Sequence, residues 1–188
     1  CTCSYKYGKA HVHGSPILPW LDAMMQRWLS SLQLDEKHLP DCLNLNLYKS
    51  GRQNVSWHAD DERLFMGKFQ DACIISISLG ETRTFEFGLR APRRGGVLKP
   101  EKGSVQSFEL SHGHICTMEG LVQKHYLHQI RKGGTGGKGG KGGKGAEIAK
   151  GAKGAEGKGA RINVTCRYIK EHQPDCPLGR PLTLARSP

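Results

Sequence analysis

The sequence predicts a mainly β domain of the sandwich or jelly-roll type, flanked by one helix. Three observations carry this: one helical apolar stripe near the start, a series of short period-two segments after Pro40, and no alternation of strands with helices. The length of 188 residues suits a single domain covering 1–188.

The helix comes first. From Pro19 the apolar residues fall at Leu21, Met24, Met25, Trp28, Leu29 and Leu32, which is one stripe of an amphipathic helix and predicts a core face. Pro19 suits its first turn, and Pro40 marks the break beyond its end. After Pro40 the period becomes two. Leu43, Leu45 and Leu47 share one side, and Asn44, Asn46 and Tyr48 the other. Further strands are predicted at residues 73–79, 84–89, 105–110, 115–118 and 162–169, punctuated by Gly80, Gly95-Gly96, Gly103 and Gly113.

Charge and glycine are unevenly spread. The net charge is +11, and residues 131–160 hold 13 of the 25 glycines, eight Lys/Arg and two Glu, hence +6 of that total. Such a segment cannot hold a packed core and reads as a flexible insert within the domain. Two readings stay open for it: a solvated insertion without a specific partner, or an arm that contacts nucleic acid non-specifically through its lysines. No run of about 18 apolar residues exists, which excludes a helical membrane span. Seven scattered cysteines without C-x-x-C spacing suggest reduced thiols in an intracellular compartment, nucleus and cytoplasm undistinguished. The opening Cys1-Thr2-Cys3, without initiator Met or signal segment, is expected of a fragment, and a monomer is the expected state.

In the last predicted strand Arg161, Asn163, Thr165 and Arg167 share a face, opposite Ile162, Val164, Cys166 and Tyr168. That polar face suits either plain solvent exposure or a cavity holding an anion, since arginine's planar fork grips a carboxylate with two bonds. His58-Ala59-Asp60 offers an imidazole and a carboxylate two residues apart, on one side of an extended segment. One further His would complete a facial triad suited to iron(II). His128, in a segment read as extended that also carries His125, is the best third ligand. His125 falls on the opposite face of that extended segment. The pairs His11/His13 and His112/His114 read as ordinary surface or loop residues.

In order along the chain, Asn46-Leu47-Tyr48, His58-Ala59-Asp60-Asp61-Glu62, Ser76-Ile77-Ser78-Leu79-Gly80, His128 and Arg161-Ile162-Asn163-Val164-Thr165-Cys166-Arg167 resemble the AlkB family of iron(II)- and 2-oxoglutarate-dependent dioxygenases. The last segment reads as the family's R-x-N-x-T-x-R signature, and the pattern is closest to members that repair duplex DNA. The resemblance implies a double-stranded β-helix (jelly-roll) dioxygenase barrel with its core at about residues 40–169. It also implies Fe(II) held by His58, Asp60 and His128, with 2-oxoglutarate and O2 as cosubstrates. Arg161 would pair with the distal carboxylate of 2-oxoglutarate, and Asn46 and Tyr48 would hydrogen-bond the same molecule. Asn163 and Arg167 would act nearer the metal, and Glu62 would contact the target base. The implied activity is oxidative removal of methyl groups from bases of alkylated DNA or RNA, releasing formaldehyde and succinate. The alternatives are a dioxygenase acting on a protein or lipid, and an idle nucleic-acid-binding protein. His114 stands where many members have Asp, and the insert lies between His128 and Arg161.

Overall fold

The computed structural model describes residues 1–7, 10–33, 40–92, 96–133 and 159–178. A short hairpin, β1 (Tyr5–Tyr7) with β2 (Ala10–Val12), precedes helix α1 (Pro19–Ser30). Pro19 supplies the fixed φ of a first helical position, Asp22 sits in the first turn and Arg27 in the last, each sign matched to the helix dipole. Leu21, Met25 and Leu29 are the face α1 buries.

Eight strands follow. They are β3 (Cys42–Tyr48), β4 (Val55–His58), β5 (Ile74–Gly80), β6 (Arg83–Leu89), β7 (Gln106–Leu110), β8 (Ile115–Met118), β9 (Tyr126–Ile130) and β10 (Arg161–Arg167). A 3-10 turn, Arg63–Phe65, and a single helical turn, α2 (Val122–His125), interrupt the series. The strands form two antiparallel sheets in the orders β3-β10-β5-β8 and β4-β9-β6-β7. Apart from the paired β6 and β7, successive strands alternate between sheets, which is a jelly-roll path. The sheets face each other across Tyr48, Ile74 and Met118 on one side and Phe85, Leu110 and Ile130 on the other. Among the described residues they share no strand and do not close into one continuous barrel.

The first sheet is polar inside and apolar outside. Val164, Cys166, Ile75 and Ile77 point outward into a core closed by Met25 and Leu29 of α1. That orientation leaves the other set, Arg161, Asn163, Thr165 and Arg167, facing the second sheet, because side chains alternate along a strand. The expected strand at residues 162–169 stops earlier, at Arg167. The Ile169 N–H leaves the ladder to donate to Asp41 Oδ1 at 2.9 Å.

β1, β2 and β4 were not anticipated as strands, being three or four residues long and therefore weak in pattern. Residues 124–130, expected to be extended throughout, begin instead with the α2 turn. Of the expected insert, residues 134–158 lie outside the described residues. Both its flanks attach beside the β5–β6 turn: Arg83 donates to the Arg131 carbonyl, and the Glu81 N–H to the Ala160 carbonyl at 3.0 Å. Gly80 in that turn has φ +89, and a Cβ there would run into the Ala160 carbonyl oxygen.

Leu29 is fully buried between α1 and β10. Replacing it with Ala should cost about 2–5 kcal/mol of stability, read as a lower urea midpoint. A change within about 0.5 kcal/mol, as at surface positions, would mean that α1 does not pack as described.

Candidate metal and cosubstrate site

Pairing register builds the centre. β4 and β9 are antiparallel neighbours, and His58 lies directly opposite His128 across the pair. Opposed residues on adjacent strands have side chains within contact range, so two imidazoles converge from 70 residues apart in sequence. Their ring centroids are 4.2 Å apart. Asp60 lies just beyond the end of β4, so the expected extended H-x-D segment ends at His58. The Asp60 N–H donates to Oε1 of the fully buried Gln123 at 2.9 Å, and Asp60 Oδ1 lies 3.6 Å from His58 Nε2. Ligand atoms of His58, Asp60 and His128 all lie within 4.8 Å of one another.

The electrostatics suit a cation. Asp60 is buried, which raises its carboxyl pKa, yet the Arg167 guanidinium overrides this and holds the carboxyl below its ordinary value. Arg167 Nη2 donates to Asp60 Oδ2 at 2.6 Å. Burial, with His58 close by, pushes His128 down to about 3, so its imidazole is neutral and has a lone pair to give. His58 Nδ1 faces the Ser56 carbonyl at 2.8 Å. A carbonyl only accepts, so Nδ1 carries the proton and Nε2, on the side of Asp60, keeps the lone pair that a metal takes.

Above this group lies the polar face of β10, extended in register across its neighbours. Arg161 stands between Tyr48 and Gly80, Asn163 between Asn46 and Ser78, and Thr165 between Asn44 and Ser76. Arg161 Nη2 donates to Ser78 Oγ at 2.9 Å and to Asn163 Oδ1 at 2.8 Å, and Asn163 Nδ2 passes the chain on to Thr165 Oγ1 at 2.8 Å. Ser76 Oγ also donates to Asn163 Oδ1, at 3.0 Å. The Arg161 guanidinium lies 5.3 Å from the centre of the Tyr48 ring. A cavity of about 110 Å³ opens onto Asn46, Tyr48, His58, Asp60, His128 and Arg167. Of the two readings left open for this face, the structure takes the cavity.

Of the nine expected site residues, Asn46, Tyr48, His58, Asp60, His128, Asn163 and Arg167 line this cavity. Arg161 braces it from beside Tyr48, whereas Glu62 lines a neighbouring cavity of about 440 Å³ with Tyr5, Arg63 and Gln173. Burial raises the Glu62 carboxyl to about 7 against the pull of Arg167, and neither oxygen has a hydrogen-bond partner among the described residues. Arg167 grips the Asp60 carboxylate directly, a contact the strand pattern did not reveal.

His125 is exposed on the α2 turn, so a change of secondary structure, rather than opposite faces of one strand, separates it from His128. The other His pairs have local partners. His112 Nδ1 accepts from the Gly80 N–H at 3.0 Å, His114 Nδ1 from the Ser111 N–H at 3.3 Å, and His11 lies against His13. His114 is thus a turn residue between β7 and β8. Sequence reasoning missed the supporting roles of Ser78 and Gln123. Ser78 had a signal, its period-two spacing from Ser76, whereas Gln123 had none.

Residues 2–167 match the family model of the 2OG-Fe(II) oxygenase superfamily, and the chain belongs to that superfamily. Within it the chain is an AlkB-like member. It is 29% identical over 134 residues to alpha-ketoglutarate-dependent dioxygenase alkB homolog 3 of Rattus norvegicus, covering 68% of this chain and 41% of the relative. It is 30% identical over 103 residues to DNA oxidative demethylase ALKBH2 of Arabidopsis thaliana, covering 48% and 32%. The chain therefore spans about two fifths of the length of the rat relative. The solved structure of OsALKBH1 superposes with a TM-score of 0.52 at 16% identity, over 84% of this chain and 67% of that one, which shows the fold.

Membership implies iron(II), with 2-oxoglutarate and O2 as cosubstrates, and the residues present fit them. Two imidazoles and a carboxylate are a donor set for iron(II). Nε and Nη1 of both Arg161 and Arg167 are buried without a hydrogen-bond partner among the described residues, donors that an anion would satisfy. Arg161→Lys keeps the charge and loses the fork. It should weaken 2-oxoglutarate binding at least tenfold, about 1.4 kcal/mol, by calorimetry on the metal-loaded protein. An unchanged affinity would place the cosubstrate elsewhere.

Proposed function

We propose that this chain is the catalytic part of an Fe(II)- and 2-oxoglutarate-dependent dioxygenase that oxidatively removes methyl groups from nucleic-acid bases. The observation that carries the reading is the His58, Asp60 and His128 group set beneath two buried arginines with unsatisfied donors. The names of the relatives, a DNA oxidative demethylase among them, support nucleic acid as the substrate class.

His58, Asp60 and His128 hold the iron. When bound, iron with 2-oxoglutarate and O2 supplies the oxidising power that hydroxylates a C–H bond. The chain's own residues do the rest. Arg167 keeps Asp60 ionised and fixes its orientation. Arg161, itself oriented by Ser78 and Asn163, takes the distal carboxylate of 2-oxoglutarate, with Asn46 and Tyr48 alongside. Glu62 is among the residues that line the larger cavity, and there contacts a base turned out of its stack. Extruding that base costs roughly a few kcal/mol, least for a damaged or single-stranded one. The insert at residues 131–160, carrying +6 of the net charge, adds a non-specific phosphate contact.

The decisive experiment offers 1-methyladenine and 3-methylcytosine in single-stranded DNA, duplex DNA and RNA, beside methylated peptides, and measures formaldehyde. Release from an oligonucleotide is expected, and release only from peptides would overturn the substrate class. Asp60→Ala should abolish both iron binding and formaldehyde release, and by stranding the buried Arg167 charge should lower the stability of the folded chain by about 3–5 kcal/mol, read as a lower urea midpoint. Persistent turnover would refute the ligand assignment. Deleting residues 133–157 should leave 2-oxoglutarate turnover intact and flatten the salt dependence of oligonucleotide binding. An unchanged salt slope would deny the insert its role.

A further inference from the structure

The cysteines, scattered in sequence, are not scattered in space. Cys1 and Cys3 from one end of the described chain meet His172 and Cys176 from the other, and their ligand atoms all lie within 4.8 Å of one another. His172 Nδ1 is 3.5 Å from Cys1 Sγ, 3.7 Å from Cys3 Sγ and 3.4 Å from Cys176 Sγ. Cys176 Sγ is 3.5 Å from Cys1 Sγ. A tetrahedral zinc with Zn–S of about 2.3 Å and Zn–N of about 2.0–2.1 Å has edges of roughly 3.8 Å between sulfurs and roughly 3.5 Å from sulfur to nitrogen. The observed spacings are close to those edges. They are far from a disulfide, whose sulfurs are about 2.05 Å apart, and all three cysteines are free.

The surroundings are those of a metal site. His172 Nε2 lies 3.1 Å from Asp41 Oδ2, and the carboxylate's other oxygen is already taken by the Ile169 N–H. A carboxylate on the far nitrogen fixes the tautomer, leaving the Nδ1 lone pair aimed at the three sulfurs, the carboxylate–histidine arrangement of zinc centres. Backbone N–H groups point at the sulfurs as they do at thiolates: Cys3 N to Cys1 Sγ at 3.3 Å and Gln173 N to Cys3 Sγ at 3.2 Å. Cys3 and Cys176 are buried, with Phe65 and Ile169. The ligands arrive as C-x-C and H-x3-C, two short pairs far apart in sequence, and together make the set of three cysteines and one histidine found in structural zinc sites.

We propose that Cys1, Cys3, His172 and Cys176 bind one structural zinc ion that staples the N-terminal segment to the segment following β10. The site is separate from the His58 group and shares no residue with it. All four coordination positions are filled by protein, which makes the site structural rather than catalytic. The staple also has a job near the larger cavity. Ser4 and Gln173 exchange two hydrogen bonds of 2.9 Å beside the cluster, and both line the cavity that Glu62 faces. Zinc therefore holds two walls of that cavity together.

The test uses the chain purified under reductant without chelator, with metal content read by mass spectrometry. A His58→Ala/His128→Ala double variant removes the other metal group, and should still carry one zinc per chain. Cobalt(II) in its place should give thiolate charge-transfer bands and the visible spectrum of a tetrahedral ion. Cys3→Ser/His172→Ala should lose the zinc, and His172→Cys, which keeps four ligands, should retain it even if the first variant folds poorly. A zinc-free double variant with titratable thiols would overturn the proposal. So would a Cys1–Cys176 disulfide in the reduced protein, or zinc retained by Cys3→Ser/His172→Ala.

Discussion

The structure depends on one buried ion pair, Arg167 to Asp60 at 2.6 Å, with both side chains about nineteen-twentieths buried. It joins the last strand of one sheet to the turn that leaves β4 in the other, so the two sheets are registered on each other through a charge contact. Such a pair gains little over apolar packing, but losing one partner leaves the other charge stranded, at about 3–5 kcal/mol. Asp60 can therefore be neither moved nor neutralised cheaply, which is what a ligand with a fixed geometry requires. Arg161 is different. It is equally buried and has no carboxylate partner among the described residues. Burial already lowers its pKa, against the pull of Tyr48. A guanidinium left in that state is incomplete until an anion arrives.

The inverted polarity of the first sheet follows from this. A sheet with charges on its inner face cannot be stabilised by packing that face against the other sheet. The apolar burial must come from outside, and α1 supplies it through Met25 and Leu29 against Val164 and Cys166. The inner apolar contacts are confined to Tyr48, Ile74, Phe85, Leu110, Met118 and Ile130. The helix is thus part of the site's energetics although none of its residues lines the cavity.

What was legible in the sequence is what has a local period. The β10 face, the Asn44, Asn46 and Tyr48 face and the α1 stripe each repeat within one element, and each face stands in the structure, with β10 ending at Arg167 and α1 at Ser30, short of Leu32. Pairing is not local. That His58 opposes His128 depends on which strands become neighbours, and composition carries no trace of it. Gln123 under Asp60 was invisible for the same reason. The path from His125 to His128 misread as one strand, because four residues of α2 carry too little pattern to separate a helical turn from an extended segment. The cysteines are the extreme case. Cys1 and His172 are 171 positions apart, and only the return of β10 beside β3 brings them together.

That return also couples the two metal groups mechanically. β10 presents Arg161 and Arg167 to the inner cavity, and His172 follows five residues after Arg167. Asp41, just before β3, spans the interval: its N–H donates to the Arg167 carbonyl at 3.2 Å, its Oδ1 accepts from the Ile169 N–H, and its Oδ2 faces His172. Phe65, on the far side, lies 4.9 Å beneath the Arg167 guanidinium and packs in the same cluster as Cys3 and Cys176. An ion bound by the cysteines therefore restrains the backbone on which Arg167 stands and the ring against which its guanidinium rests. The geometry of Asp60 is set through Arg167. An ion held by these four ligands thus bears on the Asp60 carboxylate through a single side chain, with no need for a contact between the two sites.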